Sequence, residues 1–170
     1  MRVSAHIGMV TFILPGYSVH NKKWEEEVAK NLKMEGEIRP IFWDHWTDDS
    51  QKFDPKEKAD LISRHTKGDK INIIAKSLGC LVAAYIAEEI PDQVNKIILC
   101  GIPVTDLKEG DAKLISKVPN KNLIVFQNNH DPHGSFERVK KLFPNFKIIE
   151  KGAGDHNYPY FEDFNNFLSP

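Results

Sequence analysis

The stretch INIIAKSLG, residues 71–79, joins a β-branched apolar run to a turn built from small residues. Ile71–Ala75 has the composition of a buried strand, and the alanine-rich segment Leu78–Ile90 that follows has the length of a helix. A strand that passes directly into a helix is the repeating unit of α/β proteins. This segment therefore indicates the fold class, and the rest of the chain shows whether the unit repeats.

The same alternation of short apolar runs and helix-length segments recurs along the whole chain. Parallel strands joined through helices require crossover connections, and both faces of the resulting sheet are covered. The sequence therefore predicts an α/β three-layer sandwich with a mostly parallel six-stranded sheet, in a single domain spanning residues 1–170. The strands are expected at Met9–Leu14, Ile38–Trp43, Ile71–Ala75, Lys96–Cys100, Leu123–Gln127 and Phe146–Glu150.

The helices are indicated by periodicity and by capping residues. Trp24, Val28 and Leu32 recur at helical spacing and predict an amphipathic helix that ends at Gly36. A second helix should begin after Asp54, whose carboxylate can accept hydrogen bonds from the free amides of a first turn. The remaining helices are predicted near residues 78–90, 107–117, 135–143 and 158–168.

Composition and charge exclude several classes of protein. The 170 residues are 41% hydrophobic and 28% charged, which is ordinary globular composition. A net charge of −1 gives no basic surface for nucleic acid or for an anionic membrane, and no apolar run is long enough to span a bilayer. We therefore expect a soluble, cytoplasmic protein without nucleic-acid or membrane partners.

The sequence contains no recognisable metal or nucleotide motif. Cys80 and Cys100 lie inside apolar segments without the Cys or His spacing of a metal site, so they are expected as buried residues of a reducing compartment. No G-x-G-x-x-G or G-x-x-x-x-G-K-[ST] sequence is present. The sequence thus predicts no cofactor and no metal.

Three residues that can act together in catalysis each follow a predicted strand. Ser77 follows the third strand, Asp131 the fifth and His156 the sixth. The carboxyl ends of parallel strands share one edge of the sheet, where α/β proteins place their ligand chemistry. The pentapeptide AKSLG, residues 75–79, has small residues two positions before and two positions after Ser77, as a sharp strand-to-helix turn requires. A serine at this point can also simply cap the helix.

The order Ser77, Asp131, His156, together with the AKSLG turn, resembles that of the α/β-hydrolases. The whole chain resembles the small lidless members of this superfamily, such as serine hydrolases of the retinoblastoma-binding-protein type. The resemblance implies that Ser77 is the nucleophile, that His156 is the general base and then the general acid, and that Asp131 orients the histidine. It also implies an oxyanion hole formed by the backbone amides of Tyr17 and Leu78.

The chain departs from the family pattern at three positions. Ala75 stands in place of the first glycine of the elbow, and Cys80 stands where many relatives have another glycine. No histidine precedes Gly16 in the loop after the first strand, and Pro15-Gly16 could also be only a tight turn. None of these departures removes a catalytic group.

Other residues at the strand ends offer alternative roles. Asp106 follows the fourth strand, where some α/β-hydrolases place their acid. His130 and His133 flank Asp131 without a recognisable metal spacing, which favours exposure in a loop. The aromatic residues of segment 42–46 could line the mouth of the site or belong to the core.

These observations favour a serine hydrolase that cleaves a small-molecule carboxylic ester through an acyl-enzyme intermediate. Thioester or peptide cleavage would use the same triad, and a hydrolase-fold binding or regulatory module without turnover is the alternative from another class. The stretch Gly101–Lys117 has no room for a lid domain, which predicts an open site for small acyl groups without interfacial activation. The oligomeric state is not determined by the sequence.

Overall fold

A computed structural model of the chain describes residues 8–170. Its centre is a six-stranded sheet in the order β2-β1-β3-β4-β5-β6, and every neighbouring pair of strands is parallel. This confirms the predicted fold class. The strands are β1 Met9–Leu14, β2 Glu37–Pro40, β3 Lys70–Lys76, β4 Val94–Cys100, β5 Leu123–Asn128 and β6 Ile148–Lys151.

Helices cover both faces of the sheet and complete the three layers. Side chains of α2, α3, α4 and α5 join the apolar core on one face, while α1 and α6 pack in a second core on the other. Within residues 8–170, no helix is both long and apolar enough to cross a membrane. The helices are α1 Asn21–Asn31, α2 Pro55–His65, α3 Gly79–Glu89, α4 Asp111–Ser116, α5 Phe136–Leu142 and α6 Phe161–Leu168, with 3₁₀ turns at Asp44–Trp46, Val104–Asp106 and Asn120–Asn122.

The central strand β3 contributes side chains to both cores. Ile71, Ile73 and Ala75 belong to the core beneath α3, and Ile74 belongs to the core beneath α1. Successive side chains of a strand point to opposite faces, so a strand covered on both sides must be apolar throughout. This is the physical reason why the stretch that follows Lys70 is nearly continuous in isoleucine.

Several predicted boundaries are wrong in detail. The second strand ends at Pro40, and Trp43 has already turned toward the loop after β1, where its indole finds hydrogen-bond acceptors. The first helix ends at Asn31 because Leu32 is extended, and Gly36 lies in the turn before β2. The helix predicted at 107–117 is shortened to α4.

The predicted cap of α2 is present. Asp54 Oδ1 accepts hydrogen bonds from the amides of Lys56 and Glu57, at 2.9 and 3.2 Å, and Pro55 is the first helical residue. Between β4 and β5 the chain contains only α4 and two 3₁₀ turns, so no lid is inserted at this connection.

A buried carboxyl group lies on the inner side of α1. Glu25 is completely buried, and neither of its carboxylate oxygens has a hydrogen-bond partner among the described residues. Burial, with a smaller contribution from Glu26, raises the pKa of Glu25 to about 8. The side chain is therefore held in its neutral form in the folded protein at neutral pH.

We predict that Glu25→Gln stabilises the protein at pH 8 and changes its stability little at pH 4.5. The folded state binds the proton of Glu25 more tightly than the unfolded state, so wild-type stability falls as the pH rises from about 4.5 to about 8. Glutamine stays neutral at both values, and the gain at pH 8 should be about 2–4 kcal/mol. Urea unfolding at the two pH values measures it, with Glu88→Gln, at an exposed position of α3, as the control. An equal effect of Glu25→Gln at both pH values would contradict the prediction.

Candidate active site

The turn between β3 and α3 holds Ser77 in a left-handed backbone conformation, with φ of 56°. Positive φ is unfavourable for any residue other than glycine and is characteristic of the nucleophile elbow. The Ser77 amide donates to the carbonyl of Cys100 at the end of β4, at 3.0 Å, which fixes the turn to the sheet. Leu78 is the N-cap of α3 and the helix has no side-chain cap, so Ser77 does not serve as one.

The small residues around Ser77 are required by close contacts. A Cβ atom on Gly79 would lie 2.4 Å from the carbonyl oxygen of Leu14, because the first turn of α3 packs directly on the end of β1. A Cβ atom on Gly16 would lie 3.0 Å from that of Ser77. The loop after β1 therefore lies directly beside the serine.

Asp131 and His156 are brought together at the ends of β5 and β6. His156 Nδ1 lies 2.6 Å from Asp131 Oδ2, and the aspartate side chain is wholly buried while that of His156 keeps 19% of its surface exposed. A carboxylate can only accept, so Nδ1 carries the proton and Nε2 is left as an acceptor. His156 Nε2 is buried and has no hydrogen-bond partner among the described residues, so Ser77 and His156 are not hydrogen-bonded to each other in this structure.

Two further donors complete the environment of Asp131. The Tyr158 hydroxyl donates to Oδ2 at 2.5 Å, and the backbone amide of His133 donates to Oδ1 at 2.8 Å. Burial by itself would raise the pKa of Asp131, but the hydrogen bonds from His156 and Tyr158 outweigh it and hold the pKa below that of an ordinary aspartate. Asp131 is thus a buried carboxylate that stays ionised.

The loop after β1 is fixed by hydrogen bonds to its carbonyl groups. The indole Nε1 of Trp43 donates to the carbonyl oxygens of Pro15 and Gly16, at 3.2 and 3.1 Å. The Tyr17 carbonyl oxygen lies 2.8 Å from the Trp46 indole nitrogen and 2.7 Å from Nε2 of His45. From the sequence, the aromatic residues of segment 42–46 could belong either to the core or to the mouth of the site. In the structure, three side chains of this segment hold the loop after β1 in place.

The backbone amides of Tyr17 and Leu78 have no protein acceptor among residues 8–170. In a trans peptide the N–H and the preceding C=O point in opposite directions. The bond from Trp43 to Gly16 O therefore directs the Tyr17 amide away from the indole. Leu78 directly follows Ser77 as the N-cap of α3, so its amide belongs to the peptide that joins the two residues.

Three other titratable residues that follow strands, Cys80, Asp106 and Asp155, have other roles in the structure. Burial raises the pKa of the Cys80 thiol to about 12, which makes it a poor nucleophile. The Asp106 carboxylate is bonded to His133 and the Asp155 carboxylate to Asn128, so neither pairs with His156. No group of three His, Cys, Asp or Glu within residues 8–170 is arranged to hold a metal ion.

A cavity of about 470 Å³ opens between β2 and α2, lined by Phe42, Trp43 and Leu61 among others. Ser77, Asp131 and His156 do not line it. Trp43 borders this cavity with its ring and bonds the loop after β1 with its indole nitrogen. The cavity is therefore not part of the site around Ser77.

The structure also contains site residues that the sequence analysis did not single out. Tyr158 lies two positions after His156, and its hydroxyl also accepts from the Asn128 amide at 3.1 Å. Asn128, the last residue of β5, binds the carbonyls of Asp155 and Asn157 through its side-chain amide. Tyrosine and asparagine are common at loop ends, so only the distances between the loops reveal these roles.

A three-layer sandwich around an all-parallel sheet, with a serine in a left-handed turn after the third strand, is typical of the α/β-hydrolase class. The family model described as the alpha/beta hydrolase fold matches residues 39–145, and the chain belongs to this family. No curated protein matches the sequence. The narrower resemblance to the retinoblastoma-binding-protein type stays a prediction.

Solved structures of several hydrolases share the fold at low sequence identity. A protein described as a YdeN-like hydrolase, from Pectobacterium atrosepticum, is 16% identical with a TM-score of 0.71, over 94% of this chain and 90% of that one. A serine hydrolase without a lid from Xanthomonas campestris is 14% identical with a TM-score of 0.68, over 96% and 81%. The protein Est1E from Butyrivibrio proteoclasticus, solved with ferulic acid bound, is 12% identical with a TM-score of 0.70, over 98% and 90%.

We predict that Tyr158→Phe destabilises the protein more at pH 7 than at pH 3. The lost hydroxyl stabilises the ionised form of Asp131, whose folded-state pKa is lowered, so this contribution is present at neutral pH and is lost as the pH falls. The loss at pH 7 should be about 1–3 kcal/mol, measured by urea unfolding. Tyr160→Phe is the matched control, because the Tyr160 hydroxyl bonds Asn128 and not Asp131. Equal losses for Tyr158→Phe at both pH values would contradict the prediction.

Proposed function

We propose that this chain is a serine hydrolase that cleaves small carboxylic esters through an acyl-enzyme intermediate. The observation that carries the proposal is the 2.6 Å bond between His156 Nδ1 and the buried Asp131, which leaves an unpartnered Nε2 on the sheet edge that also holds the strained Ser77. A nucleophile, a base and an orienting acid are the components of acyl transfer by a serine enzyme.

In this mechanism the Ser77 oxygen attacks the ester carbonyl carbon while His156 Nε2 accepts the hydroxyl proton. Asp131 stabilises the resulting imidazolium through the Nδ1 bond. His156 then donates the proton to the leaving alkoxide, which departs and leaves the acyl group on Ser77. A water molecule, deprotonated by His156, attacks this acyl-enzyme, and His156 then returns the proton to the Ser77 oxygen as the bond to the acyl group breaks and the carboxylic acid leaves. The Ser77–His156 hydrogen bond is expected to form when substrate binds, because such bonds are often long in unliganded enzymes.

The oxyanion of the tetrahedral intermediate would be bound by the amides of Tyr17 and Leu78. The Leu78 amide follows Ser77 in sequence, and the Tyr17 amide follows Gly16, which packs against the Ser77 side chain. Both amides lack a protein acceptor among the described residues. Donors that are already oriented need no rearrangement when the negative charge develops, which is why such sites lower the barrier strongly. The positive end of α3 adds to this stabilisation.

The substrate class follows from the surroundings of the site. The short β4–β5 connection leaves no covering domain over the sheet edge, which favours small, soluble acyl groups over long lipid chains. Est1E from Butyrivibrio proteoclasticus, which shares the fold, was solved with ferulic acid, an aromatic carboxylic acid. A small ester of an alkyl or aromatic acid is therefore the first substrate to test.

We predict that a fluorophosphonate probe labels the wild-type protein at neutral pH. The probe reacts with a serine whose hydroxyl is deprotonated by a neighbouring base, so Ser77→Ala and His156→Ala should each abolish labelling. Gel fluorescence of the labelled protein and mass spectrometry of the Ser77 peptide measure the reaction, with circular dichroism to establish that each variant is folded.

The control is Ser116→Ala, which removes an exposed hydroxyl at the end of α4, fifteen residues before Asp131, the nearest proposed catalytic residue in sequence. This variant should be labelled like the wild type. A folded wild-type protein that is not labelled would favour the binding module without turnover, and labelling that survives Ser77→Ala would identify another nucleophile.

We predict that Trp43→Phe lowers kcat for a small ester about tenfold and leaves KM within twofold. The variant keeps an aromatic ring in the core but removes the donor that holds the Gly16–Tyr17 peptide, so the Tyr17 amide loses its fixed direction. Removing an oxyanion donor outright costs about 2.7–4 kcal/mol, and loosening one should cost less.

Trp46→Phe provides the matched control for this measurement. Its indole bonds the carbonyl of Tyr17, which belongs to the next peptide, and His45 contacts the same oxygen. Trp46→Phe should therefore lower kcat less than threefold. A larger loss in Trp46→Phe than in Trp43→Phe would rule out the proposed role of the Gly16–Tyr17 peptide.

A further inference from the structure

A second histidine–aspartate pair lies beside the first. His133 Nδ1 is 2.7 Å from Asp106 Oδ2, almost the same geometry as that of His156 with Asp131. Asp106 lies in the 3₁₀ turn after β4 and His133 in the loop after β5, so the pair joins two neighbouring loops of the sheet edge. Both side chains of this second pair are about half exposed, with 46% of each accessible.

The two imidazole rings are in contact. The ring centroids of His133 and His156 are 4.4 Å apart, with an angle of 47° between the planes. The ring of Tyr158 meets His156 edge-on at 5.9 Å. His156 therefore packs against two rings, one of which Asp106 fixes from outside the proposed triad.

The backbone of His133 is fixed as firmly as its side chain. Its amide donates to Asp131 Oδ1 at 2.8 Å, and its carbonyl oxygen accepts from the amide and the hydroxyl of Thr105, each at 2.9 Å. His133 thus touches both members of the Asp131–His156 pair and takes its own position from the loop after β4.

We propose that His133, held by Asp106, is a positioning residue for the imidazole of His156. The inference rests on the proposed function. One hydrogen bond at Nδ1 leaves the His156 ring free to turn about that bond, which would swing Nε2 away from Ser77. A ring packed against it removes this freedom, and a misplacement of about 1 Å in such a group can cost a hundredfold in rate.

Variants of His133 separate the packing of the ring from the bond to Asp106. His133→Ala should lower kcat for a small ester by about tenfold to a hundredfold, with KM within twofold. His133→Asn keeps a side-chain donor for Asp106 but no ring, and should be as slow as the alanine variant. His133→Phe keeps a ring without the donor, and should recover at least a third of the wild-type kcat.

His130→Ala is the matched control, because His130 is exposed in the same loop and its side chain makes no hydrogen bond among residues 8–170. It should keep the wild-type kcat. Recovery of activity by His133→Asn and not by His133→Phe would overturn the proposal, as would an unchanged kcat in His133→Ala.

Asp106 should act only through His133. Asp106→Ala alone is expected to lower kcat less than His133→Ala does, and the double variant should be no slower than His133→Ala within twofold. Losses that multiply in the double variant would show that Asp106 acts by a separate route and would contradict the proposed link.

A measurement on His156 itself distinguishes failure of this inference from failure of the proposed function. The low-field proton resonance of the His156 Nδ1–H, identified by its absence in His156→Ala, should broaden or disappear in His133→Ala and persist in His130→Ala. Loss of the resonance in His133→Ala, together with a wild-type protein that fluorophosphonate does not label, would support the positioning role and reject the hydrolase. An unchanged resonance in a protein that is labelled would keep the hydrolase and reject the positioning role.

Discussion

The left-handed backbone of Ser77 is the constraint on which the arrangement of the site depends. The chain leaves β3 and begins α3 within one turn, and a residue other than glycine in that conformation costs about 1–3 kcal/mol. The turn persists because α3 is buried along most of its length and because Gly79 lets its first turn lie against Leu14. The same close packing brings the loop after β1 against the serine, so the proposed nucleophile and the proposed oxyanion donors are positioned together.

Around this turn, the loops of the carboxyl edge are held to one another rather than to the sheet alone. Asp131 receives hydrogen bonds from His156, Tyr158 and the amide of His133, which come from two different loops. The Trp43 indole likewise holds the loop after β1, by donating a hydrogen bond to the carbonyl oxygen of Gly16. The Asp131–His156 pair and the Tyr17 amide are therefore each held by a neighbour that has no direct role in the proposed chemistry. Such supporting contacts keep the side chains of a site close to one geometry.

The strands and the class of fold could be predicted from the sequence because they depend on local patterns. A parallel sheet covered on both faces demands apolar runs such as Ile71–Ala75, and these runs alternate visibly with helical segments. The end of β2 was predicted too late, since Phe42 and Trp43 look like a continuing strand. Only the position of the loop after β1, with carbonyl groups that need a donor, shows why Trp43 leaves the sheet.

The sequence by itself determined the order of β-strands and helices, the small residues flanking Ser77, and the positions of Ser77, Asp131 and His156 after three different strands. These features follow from residue size, periodicity and chain order, which are properties of neighbouring residues. Only the tertiary structure decided that Asp131 rather than Asp106 bonds His156, and that Asp106 bonds His133 instead. Either carboxylate follows a strand, and the choice depends on distances between loops that are separated along the chain and meet only when the sheet has formed.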